Sequence, residues 1–456
     1  FFLENANFFE APLISVNLQT RMLFTRRIAD PKYGLRLTGK QGAWNVGVLE
    51  ANDCSPGDGL PDGDPLKGKC ANFTVARLTH DIHKQSSVGL MYTDREFNGT
   101  FNRVGGIDGS FRINANWNSS YRGYVSSTYD STDPSVPNQY SFGQHHEAVL
   151  IGNGRRFTFN LQYLDITPNF RTEAGFVPRV DQRTIFQYGH FYFRPEGRVL
   201  VAHGPEENAT QLWDHSGHTL MQSVGFDYVF LLRKNITIAP TVGYESDTLR
   251  PSDFAGLPAL SQYAQDSVGL VFRGSPSRVV SWNVQFNRDG TVVVVPAPGQ
   301  LPYTGDETYI TASATVKPMN RLQIDQSYIL DRVLNGKAHH AVFNNHIIRN
   351  KTNFQFTREF SLRAITQYNA LLSNAAYSSY ATTKNLNFDV LFTYLLHPGT
   401  AVYLGYNSNL ENVDPELCVR VAGTCDPSGP GLLRTRNSFI NDGRLIFVKV
   451  SYLFRR

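Results

Sequence analysis

Residues 280–287 read Val-Ser-Trp-Asn-Val-Gln-Phe-Asn. Val280, Trp282, Val284 and Phe286 share one parity, and Ser281, Asn283, Gln285 and Asn287 share the other. Successive side chains of an extended chain point to opposite faces, so this alternation describes a strand with one apolar and one polar face. Residues 236–245 repeat it: Ile236, Ile238, Pro240, Val242 and Tyr244 alternate with Thr237, Ala239, Thr241, Gly243 and Glu245. Such runs stop at a turn of a few residues, resume, and then stop at a long polar loop, from Tyr33 to the C-terminus. Short turns at one end and long loops at the other are the organisation of a transmembrane β-barrel.

Hairpins are read over Tyr33–Ala51, Phe73–Glu96, Ile107–Asp130, Gln144–Asp165, Gln182–His203, His218–Glu245, Gln265–Asn287, Tyr309–Asp331, Phe343–Leu372 and Asn385–Asn409. In these, Ile107–Trp117 is one strand and Asn118–Ser120 its turn, and the strand after Asn153–Gly154 begins at Arg156. Arg444–Arg456 returns alone, which makes 21 strands. Single-chain bacterial barrels usually have an even count. Ile14–Ile28 is the stretch before Tyr33 able to supply one more, giving 21 + 1 = 22. The alternative is that residues 1–30 thread or plug the lumen. The expected organisation is therefore an N-terminal segment, 1–30, and an all-β, closed antiparallel barrel over 31–456.

Composition agrees. Hydrophobic residues make up 41% of the 456 residues, and no run of about 18 apolar residues is present to form a spanning helix. A barrel needs none, because only alternate residues face lipid. Mean hydropathy is −0.30. The 22 Tyr and 31 Phe suit interfacial aromatic girdles. The net charge of +4 is mild and no basic stripe occurs, which argues against nucleic acid as a partner. A blade repeat of about 40 residues, the signature of a soluble propeller, is not found.

With the apolar parity outward, the lumen is expected to receive Asp108, Ser110, Arg112, Asn114 and Asn116 from one strand. It receives Arg156, Thr158, Asn160 and Gln162 from another, Asn283 and Gln285 from a third, and Gln323, Asp325, Ser327 and Asp331 from a fourth. A lumen of this kind holds water or interlocks through hydrogen bonds and ion pairs.

Four cysteines form two local pairs, Cys54 with Cys70 and Cys418 with Cys425, each flanking a polar loop. Disulfides are the expected reading, because neither pair has the close Cys/His spacing of a zinc site. Asp58, Asp62 and Asp64 in the first loop (DGLPDGD) are a calcium candidate, set against an ordinary acidic surface loop. His145–His146 and His339–His340 are read as surface histidines at loop–strand junctions. His80, His190 and His218 are placed in the lumen or at its rim, with no partner fixed by spacing. No G-x-S-x-G elbow occurs, and no catalytic residues or other cofactor are assigned. Thr291–Val295 is read as extending a hairpin or touching a partner.

Several stretches resemble a known family: FFLENANFFE (1–10), LFTRRI (23–28), GLRLTGKQGAWNVGVL (34–49), FTVARLTHDIHKQSSVGLMYTDRE (73–96), GIDGSF (106–111) and PNFRTEAGFVPRVD (168–181). The family is an uncharacterised bacterial outer-membrane barrel domain that usually follows a domain resembling carbohydrate-binding module family 9. The resemblance implies a Gram-negative outer membrane, a preceding sugar-binding-like domain, and no catalytic residues to carry over. The expected function is that of a channel, transporter or surface receptor, porin-like, with oligosaccharide as one substrate class. The alternatives are a plugged barrel that anchors a partner or periplasmic domain, and, behind it, an outer-membrane hydrolase. Expected partners are outer-membrane lipid, the outer-membrane assembly machinery, and a glycan or protein at the extracellular loops.

Overall fold

The computed structural model describes residues 6–10, 20–83, 85–130, 139–337, 339–397, 400–413, 419–421, 424–426, 434–435 and 438–452. Among the described residues, twenty-one strands form one sheet, and a two-stranded hairpin is a separate sheet. No helix among the described residues is long and apolar enough to cross a membrane. The chain divides into two compact units, Phe1–Phe191 with Glu207–Ser223, and Tyr192–Glu206 with Val224–Arg456.

The first unit holds β1 (Pro31–Gln41), β2 (Trp44–Asp53), β3 (Ala71–His83), β4 (Ser86–Phe97), β5 (Thr100–Arg112), β6 (Trp117–Tyr129), β7 (Tyr140–Asn153), β8 (Phe157–Ile166) and β9 (Gln182–Phe191). Each pairs antiparallel with the next. β10 (Leu200–Trp213) and β11 (Thr219–Leu232) follow. The second unit continues with β12 (Ile236–Leu249), β13 (Ser261–Gly274), β14 (Val280–Val293), β15 (Tyr303–Met319), β16 (Leu322–Asn335), β17 (Ala341–Gln355), β18 (Phe360–Ser373), β19 (Thr383–His397) and β20 (Thr400–Glu411). The short hairpin is β21 (Val419–Val421) and β22 (Thr424–Asp426), and β23 (Ile440–Ser451) pairs with β20.

Three expectations need correction. Among the described residues the large sheet has 21 strands, where about 22 are expected. Of the candidate strand Ile14–Ile28, residues 14–19 lie outside the described residues, and the remainder makes one bridge, Arg21 to Phe176, and a 3-10 turn at Thr25–Arg27. Met22 and Ile28 are each 5% exposed within the first unit's apolar cluster, so this stretch is covered by protein where a spanning strand would face lipid. Next, the turn after β5 is 113–116, not 118–120, because Asn114 Oδ1 accepts the backbone N–H groups of Asn116 and Trp117. Finally, β8 begins at Phe157, so Arg156 lies exposed in the turn ahead of it.

The alternation that decides the strands is visible as exposure. In the second unit Val242, Tyr244, Val268, Leu270, Phe272, Phe286, Val316, Ile348, Phe388, Leu404, Tyr406, Ile446, Val448 and Val450 are exposed apolar residues of one face, and all are even-numbered. Thr291–Val295 does extend a hairpin: β14 runs to Val293, which pairs with Tyr303. Val293 is buried there with Val333 and Val342, beneath Tyr303, Phe343 and Tyr377.

Candidate functional site

Cross-strand partners stand on the same face of a sheet. In the first unit one such row runs Thr38, Gly47, Arg77, Met91, Gly106, Tyr124, His145, Ile166 and Gln182. Arg77, Met91, Tyr124, His145, Ile166 and Gln182 are buried. Two irregular segments cover them, residues 20–28 and 167–181. These clasp each other through Arg21 N–H to Phe176 O at 2.9 Å, Phe176 N–H to Arg21 O at 2.8 Å and Phe24 N–H to Ala174 O at 2.9 Å. Close approach needs glycine at two points. A Cβ on Gly143 would stand 2.2 Å from the Phe170 backbone, and one on Gly175 would stand 2.1 Å from Arg21 O.

The polar side chains of this face are satisfied by each other. Arg77 makes a two-pronged pair with Asp108, at 2.7 and 2.6 Å, with both side chains at most 3% exposed. Tyr124 donates its hydroxyl to the same carboxylate at 3.2 Å. Arg122 pairs with Glu147 and donates to Thr20 O, so it ties the N-terminal segment to the wall. Gln162 donates to Glu147 at 3.0 Å. Asn102 accepts from Glu173 N–H and donates to Arg171 O, which holds the second segment.

The second unit presents a different face. Its row Thr237, Arg273, Asn283, Ser313, Ser327, Arg349, Gln367, Asn387 and Asn409 is polar at every position. The alternate rows place Glu245, Asp247, Asp289, Glu307 and Asp331 on this same face toward the long-loop end of the strands. Arg273, Arg349, Lys351 and Arg363 share it toward the short-turn end. Asp325 accepts from Thr315 and Gln323, at 2.7 and 2.9 Å.

The residues expected in the lumen are thus dispersed over several environments. Asp108 and Asn160 are buried in the first unit. Arg112 ends β5 exposed, while Asn114 and Arg156 belong to turns. Asn283, Gln285 and Asp325 share the polar face of the second unit. Sequence reasoning missed Arg77, Arg122 and Glu147. Their alternation marks the face they share, but only the covering segments make them a dry network.

Histidines also sort by environment. His145 is fully buried between Tyr124 and Phe170, which corrects its surface assignment, while His146 meets the Tyr121 hydroxyl at 2.9 Å. His80 stacks edgewise on exposed Trp44, on the apolar face and away from the expected lumen. His190 is buried, and His218 pairs with Asp214 at the loop end. His339 is exposed and His340 stacks on Tyr377.

Cys54 and Cys70 are joined by a disulfide. Cys418 of the second expected pair lies outside the described residues. Inside the first loop Lys67 Nζ donates to Asp58 O and Leu60 O and stands 3.7 Å from Asp62, while Asp64 caps the Leu66 N–H. Lys67 thus places its ammonium among two backbone carbonyls of this loop and near one of the three carboxylates, Asp62. Replacing both Cys54 and Cys70 with Ala frees a crosslink across 16 residues. Chain entropy sets the expected loss at about 3 kcal/mol. A denaturation midpoint in the oxidised wild type that drops on mutation, and in the wild type alone on adding reductant, checks it.

The chain is similar to the copper transporter OprC, with a TM-score of 0.54 and 10% identity, over 92% of this chain and 77% of that one. The fold is that of an outer-membrane β-barrel. The ferric-catecholate import receptor Fiu of E. coli K12 is also similar, with a TM-score of 0.47 and 10% identity over 82% of this chain and 74% of that one. No family model and no curated protein matches the chain.

Proposed function

We propose that this outer-membrane barrel is a transporter, channel or surface receptor for a polar solute, with the polar face of the second unit as the wall of its path. The observation that carries this reading is the uninterrupted polar row from Thr237 to Asn409, set back to back with exposed apolar side chains on the opposite face. An apolar face satisfies lipid and a hydrophilic face holds water, and a wide barrel keeps the two apart. Structural likeness to OprC, a copper transporter, supports the class of activity without assigning the substrate. An oligosaccharide substrate, and membership of the barrel family that follows sugar-binding-like domains, rest on the N-terminal motifs alone.

A second reading is favoured by the first unit. Its polar face is closed by residues 20–28 and 167–181, as in a plugged barrel that serves as an anchor.

Planar-bilayer recording separates the two. Stable openings are expected, and Arg273→Glu with Arg349→Glu is expected to shift the reversal potential toward cation preference, because fixed charges on a wall select counter-ions. A purified, folded protein that never conducts favours the anchor.

A further inference from the structure

The geometry points to a binding site for a small organic anion with an apolar body, such as an aryl or alkyl phosphate or carboxylate, in a cleft at the long-loop end of the first unit. This inference deepens the receptor reading above and rests on it.

The cleft has a volume of about 500 Å³, within the range of about 300–1,000 Å³ usual for small-ligand sites. Four separate parts of the chain meet there: the N-terminal segment, the disulfide loop, the upper ends of β3 and β4, and the 167–181 segment. Arg27, Arg95 and Arg171 line it, with Glu173 as the only carboxylate among its lining residues. The balance is three positive charges to one negative.

The arginines are held in place. Arg95 stands directly across the strand pair from Phe73, on the buried face, with its guanidinium 6.0 Å from that ring and 5.5 Å from the ring of Phe97. Its side chain is 20% exposed and pairs with Glu173. Arg27 is anchored by one nitrogen, Nε, which donates to Gly175 O at 3.1 Å. The rest of its five-donor group lies on an exposed side chain at the cleft wall. The Arg171 backbone is fixed by Ser126 and Asn102.

Guanidinium forks match the paired oxygens of carboxylate and phosphate, and more so where water is scarce. Phe73, Phe170, Val177 and Val180 supply an apolar wall beside those forks. A bare inorganic anion uses only the first feature, and a neutral ring only the second. Both together select an anion that carries a ring or a chain. Glu173 would compete with the ligand for Arg95, so its charge tunes affinity downward.

The test is calorimetric titration of the full chain, folded in detergent micelles, with phenyl phosphate, inorganic phosphate and phenol as probes. Phenyl phosphate is expected to bind saturably, inorganic phosphate roughly tenfold more weakly, and phenol not at all. Arg27→Gln and Arg95→Gln are each expected to weaken phenyl phosphate about tenfold or more, and Glu173→Gln to strengthen it. Lys40→Gln, at the short-turn end, is expected to leave it unchanged. Heat-modifiable mobility confirms folding, and if Arg95→Gln does not fold, Arg27→Gln carries the test alone. Absence of saturable phenyl phosphate binding, wild-type affinity in Arg27→Gln, or equal affinity for phenol overturns the inference. Binding lost while bilayer conductance persists refutes this site and leaves the transport reading intact.

Discussion

Phe286→Arg is expected to lower the yield of folded, heat-modifiable protein sharply, while Gln285→Arg next to it leaves the yield near wild type. The two side chains leave the same strand in opposite directions. Phe286 stands across from Leu270 and Ile310 on the exposed apolar face. Gln285 stands across from Val271 and Thr311, one step along the polar face from Asn283 and Asn287. An arginine forced toward hydrocarbon near the bilayer midplane costs about 2–4 kcal/mol, while one that faces water on the other side costs little. Leu270 and Phe272 flank the position on β13, and the nearest charged group of the same parity on β14 is Arg288, two residues toward the long-loop end. The readout is the ratio of compact to unfolded bands on unheated gels after refolding into liposomes. Equal losses in the two variants would overturn the assignment of faces for the whole second unit, because the cross-strand rows link every strand from β12 to β20.

What the sequence makes legible follows from this period of two. Once Val280–Asn287 is read as a strand, its neighbours inherit a face through short turns, and the even-numbered apolar set of the second unit follows. Nothing in that period says what lies against a face. Met22 and Ile28 look like the outward residues of one more strand until the 167–181 segment is seen to clasp them. His145 reads as a surface residue for the same reason, since its burial is created by Phe170 and Tyr124, which are distant in sequence. Local polar chemistry blurs element ends too. Parity places Asn114 on a wall, yet its side chain closes the turn by accepting two backbone N–H groups. The place of Lys67 beside Asp62 is likewise not legible, because carboxylates in a glycine-rich loop read alike whatever cation lies near them. The cleft around Arg95 is not legible in the sequence, since pairwise spacing does not bring together Arg27, Arg95 and Arg171.

Asp108→Ala is expected to be among the most destabilising single changes in the chain, at about 3–5 kcal/mol, with loss of folded protein at ordinary temperature. The reason is asymmetry. Arg77 and Asp108 bind through two hydrogen bonds with almost no water contact, and Tyr124 adds a third donor to the carboxylate. Removing the acid leaves a guanidinium charge without a counter-ion beside Met91 and the covering segments, and desolvating a charge without compensation exceeds what the pair itself gains. Removing both charges is different. Arg77→Met with Asp108→Leu deletes the unpaired charge as well as the bond, and the double variant is expected to recover most of the lost stability, leaving only the Tyr124 hydroxyl to find a new partner. Thermal loss of the compact band, followed in Arg77→Met, Asp108→Leu and the double, measures the cycle, with Asp108→Ala beside it. If Asp108→Ala costs no more than a surface ion pair, less than about 1 kcal/mol, then water reaches this face and residues 20–28 do not seal it. The same measurement therefore bears on function, because a dry first unit leaves the polar face of the second as the only wall among the described residues suited to a hydrated solute.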